Sequence, residues 1–368
     1  MHHCHLSILN PSQHTRIFHK MAKTMAAWGD RVSIIAQDEA AEAYSQDGIR
    51  INPLPPFHRL SLSRWKARKK LYQQALALEA DVYWLHSPEL LGVGKKLQDQ
   101  LGAKIVYDVH EDYYLTLKMA RHYPPLIRDV MANRVRSIEK KAVAWLAALT
   151  YAESCYDNML EVPNEKKWII RNTFSDQIPE VDTPLPKQPY FLISGTLAPE
   201  WGVMEGIRCW EKLYPHFPSR LVIAGFASRT TWLQQLRHRI HQSPYAPHIE
   251  LIGGDTYVPY PRIWQLIQHC DAGLALYQVS PLVQDKIPTK FYSFLAAGRP
   301  LLYPETPTWR EFGEKWGLGV CGATEMTGPT LHRAIQDFSP PERQASPLPY
   351  LWENDAQLLR TVRDQLAI

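Results

Sequence analysis

The chain has 368 residues, which is enough for two domains of roughly 100–200 residues each. Hydrophobic residues make up 45% of it and charged residues 21%, a globular mixture that excludes a disordered or fibrous protein. The formal net charge of +4 is too small to indicate nucleic-acid binding, and the five cysteines form no Cys-x-x-Cys pair that would indicate a disulfide framework or a zinc site. We expect a two-domain protein of the reducing cytoplasm that binds no nucleic acid.

The first half of the chain alternates strand-like and helix-like segments. Apolar and β-branched runs predict strands at residues 5–9, 32–36, 81–85, 104–109 and 148–151. Helical spacing covers residues 16–28, which end at Gly29, and residues 64–78. Because strands separated by helices pair in parallel through right-handed crossovers, the pattern predicts an open, doubly wound α/β sheet.

A proline-rich segment interrupts this pattern. Prolines at positions 179, 184, 186 and 189 can continue neither a helix nor a central strand, so we predict a first domain at residues 1–175 and a linker at residues 176–189. Strand-like runs recur at residues 190–194, 221–224, 249–252, 273–276 and 300–303. They predict a second α/β domain at residues 190–350, whose last part, residues 339–349, is again proline-rich and precedes a terminal helix within residues 351–368.

Two open α/β domains also predict where a ligand binds. Loops and helix N-termini gather at the carboxyl ends of parallel strands, and the unpaired N–H groups of a helix N-terminus attract anions. We therefore expect a phosphate-bearing ligand in a cleft between the two domains.

Six segments along the chain carry a resemblance to one enzyme family. Those of the first half are His14-Thr15-Arg16-Ile17-Phe18, where the family commonly has Asp-Thr-Arg-Ile-Phe, then DVYWLHSPELL (81–91) and KIVYDVHEDYY (104–114). Those of the second half are YFLISGTLAPEWGVMEGI, RLVIAGF and IPTKFYSFLAAGRPLL, which follow in the family's order and spacing. On these motifs the chain resembles the GT-B glycosyltransferases of family 4, especially the bacterial polysaccharide type.

The resemblance implies a fold and an activity. The fold is GT-B, in which two Rossmann-like domains with doubly wound parallel sheets face a cleft and the terminal helix crosses back to the N-terminal domain. The activity is hexosyl transfer from a nucleotide-diphosphate sugar, expected to be UDP-linked, to a hydroxyl of a glycan, lipid-linked or other acceptor in cell-surface polysaccharide or glycoconjugate synthesis. The first domain would hold the acceptor and the second the nucleotide. Family 4 implies retention of configuration and no metal ion or other cofactor.

Two departures from the family pattern affect the expected donor site. The loop from Gly195 to Gly202 lacks the Arg and the Lys-Gly with which the family binds the donor diphosphate. Asp285 and Ser293 stand where the family has two glutamates, and a serine hydroxyl makes a weaker contact than a carboxylate. The departures leave two alternatives open, a catalytically silent GT-B protein that binds a partner or ligand and a sugar-nucleotide epimerase.

The donor diphosphate, with about two negative charges, still requires a cation or a helix N-terminus. Lys290 opens the predicted helix at the matched position, so its ammonium group and the helix N-terminus can both meet the diphosphate. Lys286 on the same loop and Arg16 from the first domain are the other candidates. We therefore predict that Lys290 is the main cation of the donor site.

The remaining candidates follow predicted strands at their carboxyl ends. We expect His110 to contact the donor sugar and Glu111 or Asp112 to bind or deprotonate the acceptor hydroxyl, whereas helix capping is the structural alternative for these acids. The candidate catalytic residues are His110, Glu111 and Asp285. The candidate donor-binding residues are Gly195, Thr196, Gly253, Tyr257, Lys286, Lys290, Ser293 and Arg16, with Trp201 as a residue that can lie over the donor. The candidate acceptor-binding residues are His86, Glu89 and Asp112.

A basic segment in the first domain suggests a further contact. Its basic residues surround Trp65 and are Arg59, Arg64, Lys66, Arg68, Lys69 and Lys70. A basic helix with an aromatic residue can lie on anionic lipid beside a lipid-linked acceptor, and the alternative is a solvated helix face. We expect a cytoplasmic protein that contacts the inner face of the membrane peripherally through this segment.

Overall fold

The structure is a computed structural model that describes residues 1–57, 62–120, 123–176, 178, 180–340 and 350–368. The chain divides into two compact units, the first comprising Met1–Asn172 with Trp352–Ile368 and the second Thr173–Leu351. The predicted boundary at residue 175 and the division after Asn172 differ by a few residues. Parts of both predicted proline-rich connectors, and Arg59 of the basic segment, lie outside the described residues.

Within the described residues, the first unit contains a sheet of eight strands in the order β3-β4-β2-β1-β5-β6-β7-β8. The strands are β1 His2–Pro11, β2 Arg31–Gln37, β3 Tyr44–Gln46, β4 Ile49–Leu54, β5 Val82–Leu85, β6 Lys104–Val109, β7 Ala148–Tyr151 and β8 Lys167–Ile169. The edge strand β3 pairs antiparallel with β4, and the other neighbours pair in parallel. The predicted parallel sheet is therefore confirmed, with one antiparallel strand added at its edge.

Helices cover both faces of this sheet, which is why its strands are almost continuously buried. They are a π-helical segment Thr15–Ala22 that continues into α1 Lys23–Ala27, then α2 Leu62–Leu78, α3 Leu91–Leu101, α4 Tyr113–Lys118 and α5 Pro125–Ala142, and a 3₁₀ turn, Pro88–Leu90, precedes α3. Alternation along β1 sends Cys4, Leu6 and Ile8 into one apolar layer. His3 and His5 therefore point to the opposite face, which the π-helical segment covers.

Within the described residues, the second unit contains a six-stranded sheet in the order β11-β10-β9-β12-β13-β14 with parallel pairing. The strands are β9 Tyr190–Thr196, β10 Arg220–Phe226, β11 Ile249–Gly254, β12 Ala272–Leu274, β13 Leu301–Tyr303 and β14 Gly319–Cys321. The helices are α6 Val203–Leu213, α7 Thr230–His241, α8 Tyr260–His269, α9 Thr289–Ala297, α10 Pro307–Trp316 and α11 Gly328–Gln336. The strand–helix alternation again matches the predicted doubly wound class.

The terminal helix α12, Trp352–Ala367, belongs to the first unit. Its Leu359 and Val362 join the apolar layer that contains the π-helical segment. The Trp352 indole N–H donates to the Thr24 hydroxyl at 2.8 Å, and Arg363 binds both carboxylate oxygens of Asp30 at 2.9 Å. These contacts attach the end of the chain to the helix and strand at its beginning.

Candidate active site

A buried carboxylate organises the carboxyl edge of the first sheet. Asp108, near the end of β6, accepts hydrogen bonds from Arg16 Nε at 2.9 Å and from Arg16 Nη2 at 2.6 Å. The Thr150 hydroxyl on β7 donates to the same carboxylate at 2.7 Å. Burial by itself would raise the pKa of Asp108, but the guanidinium of Arg16 and the neighbouring hydrogen-bond donors hold that pKa well below its usual range. Asp108 is therefore an ionised carboxylate with a fixed counter-ion.

Three histidines extend from this carboxylate, and we call His5, His86 and His110 with Asp108 the histidine cluster. His110 Nε2 lies 2.7 Å and His86 Nδ1 lies 3.0 Å from Asp108 Oδ2, while His86 Nε2 lies 3.0 Å from His5 Nδ1. An ionised carboxylate only accepts hydrogen bonds, so both rings donate to it. His86 Nε2 is then an acceptor, and His5 Nδ1–H donates to it.

Burial favours the neutral form of the inner rings. It lowers the pKa of His86 to about 4 and that of His5 well below its usual value. With His86 neutral, its single N–H goes to Asp108, which agrees with the direction of the bonds along the cluster. The network thus has one consistent set of tautomers.

This arrangement leaves one nitrogen of His110 available. Its Nε2 is held by Asp108, whereas Nδ1 has no hydrogen-bond partner among the described residues, and the side chain is 11% exposed. The ring of His14 stacks on that of His110 with centroids 5.6 Å apart. An imidazole held by a carboxylate at one nitrogen presents its other nitrogen for hydrogen bonding. His110 is therefore placed to serve a hydroxyl-bearing substrate through Nδ1.

The cluster also brings together atoms that metal ions use. His86 Nδ1, Asp108 Oδ2 and His110 Nε2 lie within 3.1 Å of one another, so by spacing alone they suit a divalent cation. Both rings would have to give up the N–H groups that bind Asp108, and Arg16 already supplies positive charge to both carboxylate oxygens. The donor set therefore fits hydrogen bonding better than metal binding.

Several predicted roles in the first unit require correction. Arg16 is buried, and its remaining Nη1 donates to the Ile170 carbonyl at 2.7 Å, so it orients Asp108 and is not presented to a donor. His86 is fully buried inside the cluster and cannot contact an acceptor. Asp112 caps α4 through the Leu115 N–H at 3.1 Å and pairs with Arg136 at 2.7 Å, which is the structural alternative.

The other two acids of this edge are placed differently from each other. Glu89 lies in the 3₁₀ turn after β5 and forms an ion pair with Arg64 of α2. Glu111 follows β6 directly and is exposed. Glu111 is next to His110 in the sequence, and the residue that caps α4 is Asp112. The predicted role of Glu111 toward an acceptor stays a prediction.

In the second unit, glycines let strands approach closely where the sheet ends. A Cβ atom on Gly225 of β10 would lie 1.7 Å from the carbonyl oxygen of Gly195, which itself has a φ of +94°. Gly253 has a φ of +84°, and its Cβ would lie 2.5 Å from the Gly225 carbonyl. Side chains are excluded at Gly225 and Gly253 because the backbone of the neighbouring strand occupies that space.

Lys290 lies beside these glycines, and we call Gly195, Tyr277 and Lys290 the lysine site. A Cβ on Gly195 would lie 3.1 Å from Lys290 Cε, and Lys290 Nζ lies 5.3 Å from the centre of the Tyr277 ring. Among the described residues no carboxylate pairs with Nζ, and burial lowers the pKa of Lys290 to about 8. Lys290 also stands in the first turn of α9, whose N–H groups favour anions. The lysine site is a cationic position that lacks a protein counter-ion.

The remaining donor candidates differ in their exposure and in their hydrogen bonds. Thr196, Tyr257 and Asp285 are exposed, and the carbonyl of Lys286 accepts from the Trp309 indole at 2.7 Å. Ser293 requires a correction: its buried hydroxyl donates to the Thr289 carbonyl at 3.3 Å and lies 3.2 Å from the Tyr260 hydroxyl. Ser293 is therefore occupied within the packing of α8 and α9.

Sequence reasoning missed four residues in or beside these two sites. Asp108 lies within the motif at residues 104–114, but its role is visible only in its contacts with Arg16 and His110. His5 lies in the middle of a buried strand, where a histidine requires a polar partner, and this signal is visible in the sequence. Tyr277 carries no local motif and is recognised only by its contact with Lys290. His14 replaces the aspartate of the family motif, and its stacking on His110 is visible only in three dimensions. Trp201 packs edge-on against Tyr277, with ring centroids 5.5 Å apart.

Comparison with known proteins bears on both units. Residues 14–154 match a family model described as a glycosyl transferase 4-like domain. No curated protein matches the sequence of the chain significantly. Solved structures match it over both units, although their sequence identities are low.

Three of these structures illustrate the likeness. Sucrose-phosphate synthase from Thermosynechococcus elongatus superposes with a TM-score of 0.67 at 12% identity, covering 100% of this chain and 99% of that one. Anabaena HepE in complex with UDP and glucose gives a TM-score of 0.65 at 14% identity, covering 100% and 98%. The catalytic domain of starch synthase IV from Arabidopsis thaliana, bound to ADP and acarbose, gives 0.65 at 11% identity, covering 100% and 99%.

At such identities the structures show the fold, which is the GT-B arrangement of two parallel-sheet domains. The family model supplies the class of enzyme, and it includes Arg16, His86, Asp108 and His110 of the first unit. The predicted resemblance and fold class are thereby confirmed. The chain is a glycosyltransferase of GT-B type, with a glycosyl transferase 4-like domain at residues 14–154.

Proposed function

We propose that the protein transfers a hexose from a UDP-linked sugar to a hydroxyl acceptor in cell-surface polysaccharide or glycoconjugate synthesis. We further propose that transfer retains the sugar's configuration and uses no metal ion. The observation that carries the proposal is the ammonium group of Lys290 beside Gly195 at the carboxyl edge of the second sheet, which pairs with no carboxylate in the part of the chain that the structure describes.

The lysine site suits a diphosphate in charge. A half-buried cation that pairs with no carboxylate among the described residues costs free energy, and the lowered pKa of Lys290 reflects its desolvation. A bound phosphate offsets it, because the ammonium gains a charge-assisted hydrogen bond in a site of low dielectric. Gly195, with a φ of +94°, places side-chain-free backbone next to the Lys290 side chain. Among the compared structures, HepE holds UDP and glucose and starch synthase IV holds ADP, which supports a nucleotide as the ligand.

The proposed reaction breaks the bond between the anomeric carbon and the β-phosphate oxygen and forms a bond from that carbon to the acceptor oxygen. The departing nucleoside diphosphate takes up negative charge, which Lys290 and the N-terminus of α9 stabilise. The acceptor hydroxyl loses its proton, and in a retaining transfer the departing phosphate on the same face of the sugar receives it. His110 Nδ1 accepts a hydrogen bond from a sugar hydroxyl and thereby orients the reacting hexose.

The hydrogen-bonded cluster behind His110 supports this orienting role. Asp108 holds Nε2, Arg16 holds Asp108, and the stacked ring of His14 restricts rotation of the imidazole. A ring held by Asp108 and by the His14 ring directs its other nitrogen with little loss of side-chain entropy when substrate binds. Glu111 is proposed to bind the acceptor hydroxyl from the exposed side.

The test is donor titration of Lys290→Gln, with Lys290→Arg as the matched control that keeps the charge. We expect Lys290→Gln to weaken binding of UDP or a UDP-sugar at least about tenfold, as loss of a charge-assisted contact does, and Lys290→Arg to weaken it less. Calorimetric titration of both variants with UDP measures the effect. An unchanged dissociation constant in Lys290→Gln contradicts the proposed donor site.

A second measurement separates transfer from donor isomerisation. The full chain is incubated with a panel of nucleotide sugars, and free nucleotide is followed with and without hydroxyl acceptors. Release of nucleotide that depends on acceptor supports transfer. Isomerised donor without nucleotide release indicates an epimerase, and a donor that stabilises the fold without reacting indicates a binding protein.

We also propose that the protein acts in the cytoplasm, where nucleotide sugars would supply the reaction, and that it contacts the membrane peripherally through the basic segment that includes Arg64 to Lys70. Among the described residues, no helix has the length and apolar character needed to cross a bilayer.

A further inference from the structure

Two loops of the second unit meet at the carboxyl edge of its sheet. One follows β9 and ends at Gly202, and the other follows β12 and contains Leu276 and Tyr277. A Cβ on Gly202, which has a φ of +71°, would lie 1.7 Å from the Leu276 carbonyl oxygen, so only glycine permits this approach. The Gln278 N–H donates to the Glu200 carbonyl at 3.2 Å. The loop after β9 is thereby held against the segment that carries Tyr277.

Two tryptophans hold the Tyr277 side chain, which is 4% exposed. The Trp201 ring packs edge-on against it, with centroids 5.5 Å apart and planes at 77°, and the Trp309 ring does so at 5.8 Å and 62°. Trp309 is itself fixed, since its indole N–H donates to the Lys286 carbonyl at 2.7 Å. Edge-to-face contacts favour one arrangement of the rings over others, so the Tyr277 ring keeps its orientation.

The ammonium group of Lys290 lies over this fixed ring. Its Nζ is 5.3 Å from the ring centre, within the distance at which the negative face of an aromatic ring attracts a cation. The stem of the side chain passes the backbone of Gly195, where a Cβ would lie 3.1 Å from Lys290 Cε. Among the described residues no carboxylate pairs with Nζ, and burial lowers the pKa of Lys290 to about 8. The ring contact favours the charged form that burial disfavours.

We infer that Tyr277 is a positioning residue, whose ring holds the Lys290 ammonium in place for the donor phosphate. The inference rests on the proposed function for the identity of the ligand, whereas the hold on the ammonium is a property of the chain alone. A carboxylate in the place of the ring would compete with the phosphate for the same cation. A ring attracts the ammonium more weakly than an anion does, so it orients the cation and leaves its charge for the ligand.

The same contacts give a role to the loop that lacks the family's cations. Trp201 stands in that loop and contacts Tyr277, which in turn contacts Lys290. The loop therefore supports the cation of the donor site through packing, whereas the family pattern supplies cations from the loop itself. Trp201 acts through Tyr277 in this arrangement and is also a positioning residue.

The first experiment follows the Lys290 side chain by NMR in the full chain without nucleotide. Lysine is labelled with ¹³C at Cε, and the Lys290 resonance is the one that Lys290→Gln removes. Tyr277→Leu removes the ring, so we expect the pKa of Lys290 to fall by about 0.5, as the loss of a cation–π contact predicts. Trp201→Leu should lower that pKa by a smaller amount, and an unchanged value in this variant overturns the role assigned to the loop.

The matched variant is Tyr277→Phe, which keeps the ring. Among the described residues the Tyr277 hydroxyl has no hydrogen-bond partner, so its removal should leave the pKa of Lys290 unchanged. An unchanged pKa in Tyr277→Leu, or an equal fall in Tyr277→Leu and Tyr277→Phe, overturns the inference.

The second experiment is calorimetric titration of the same variants with UDP at pH 7. Tyr277→Leu should weaken binding about threefold, because a lysine that is no longer held must be ordered when the ligand binds. Tyr277→Phe should bind UDP like the unaltered chain. Weakened binding in Tyr277→Phe equal to that in Tyr277→Leu contradicts the role of the ring.

A second buried tyrosine provides the control for packing. Tyr303 is 1% exposed, belongs to the same apolar layer as Tyr277 and packs against Phe291 of α9 with ring centroids 5.0 Å apart. Tyr303→Leu should leave the pKa of Lys290 and the affinity for UDP unchanged, and an effect equal to that of Tyr277→Leu overturns the inference. Thermal melting checks that each variant is folded, and Tyr277→Met takes the place of Tyr277→Leu if the latter is not.

The two proposals fail separately. If Lys290→Gln leaves UDP binding unchanged, the proposed donor site is wrong, and the NMR titration still reports whether the ring holds the ammonium. If Lys290→Gln weakens UDP binding while Tyr277→Leu changes neither the pKa nor the affinity, the donor site stands and the role of Tyr277 is wrong.

Discussion

The histidine cluster and the lysine site both lie at the carboxyl edge of a parallel sheet, yet they treat charge in opposite ways. In the first unit Asp108 is surrounded by protein groups that satisfy it, with Arg16 alone giving two hydrogen bonds of 2.9 and 2.6 Å. In the second unit Lys290 has no protein carboxylate among the described residues and touches a tyrosine ring instead. The histidine cluster therefore contains the counter-ion of its charged residue. At the lysine site we propose that a ligand supplies the counter-ion.

The difference teaches how to assign roles to charged residues that stand in motif positions of a fold of this kind. A charged residue whose partners are all internal holds other residues in position, as Arg16 does for Asp108 and Asp108 does for His110. A charged residue whose partner is missing gains free energy when an oppositely charged ligand arrives. Four experiments test this distinction, from the largest expected effect to the smallest.

The largest effect is expected from Arg16→Met. It leaves the carboxylate of Asp108 buried without its counter-ion, so we expect the free energy of unfolding to fall by about 3–5 kcal/mol. Urea denaturation of the variant measures the loss. The control Arg31→Met removes an exposed arginine and should change stability by less than about 0.5 kcal/mol. If both variants were equally stable, Arg16 would not be the counter-ion described above.

Acid should destabilise the histidine cluster next most strongly. Burial lowers the pKa of His86 to about 4 from 6.5, so between these values the unfolded chain binds a proton that the folded chain excludes. Stability is then fully present above about pH 6.5 and is lost as the pH falls toward 4, by up to roughly 3 kcal/mol for this ring. Denaturation curves across this range should be steeper in pH for the unaltered chain than for His86→Gln, and equal slopes would contradict the assignment.

The same kind of replacement at the lysine site should leave the fold intact. Lys290→Gln removes a half-buried cation that pairs with no carboxylate among the described residues, so we expect the free energy of unfolding without ligand to stay the same or to rise by about 1 kcal/mol. Urea denaturation with and without UDP measures both parts, and UDP should stabilise the variant less than the unaltered chain. A large loss of stability without ligand would mean that Lys290 is a structural residue like Arg16.

The smallest effect is a pH dependence of donor binding. With a pKa of about 8, Lys290 is mainly protonated at neutral pH and mainly neutral above that value. Affinity for UDP should therefore fall about threefold to fourfold as the pH rises from just below to just above 8. Calorimetric titration at several pH values shows the trend, and Lys290→Arg, whose guanidinium stays charged, should not follow it.

Much of the fold was accessible from local patterns. The strand over residues 104–109 and that over residues 148–151 have the observed bounds, because a short β-branched or aromatic run between polar residues is decided locally. The antiparallel edge strand β3 and the short strands β8 and β14 were not predicted, since each has only three residues and is stabilised by its neighbour in the sheet. The segment at residues 16–28 was predicted as one helix. In the structure Thr15–Ala22 is π-helical and contains the buried Arg16.

The location of the candidate site was predictable from the sequence, but the roles of its individual residues were not. In the sequence His110 follows the end of a strand, and Lys290 opens a helix. The structure places each of them at the carboxyl edge of its sheet. Arg16, His86 and Ser293 occupy motif positions of the same kind, and the structure shows each of them occupied by an internal partner. A motif identifies which residues stand near the site, but it does not show which of them already have hydrogen-bond partners within the protein.

The sequence by itself determined the alternation of strands and helices, the resemblance on six motifs and the near-neutral charge that left few cations for an anionic donor. Only the tertiary structure decided which cations remain for that donor. The reason is physical, since pairing depends on distances between residues that are far apart in the chain, as Arg16 and Asp108 are, with 92 positions between their numbers. Folding brings that pair within hydrogen-bond distance and leaves Lys290 beside Gly195 and the Tyr277 ring. The same formal charge is therefore a structural support in one unit and a proposed ligand site in the other.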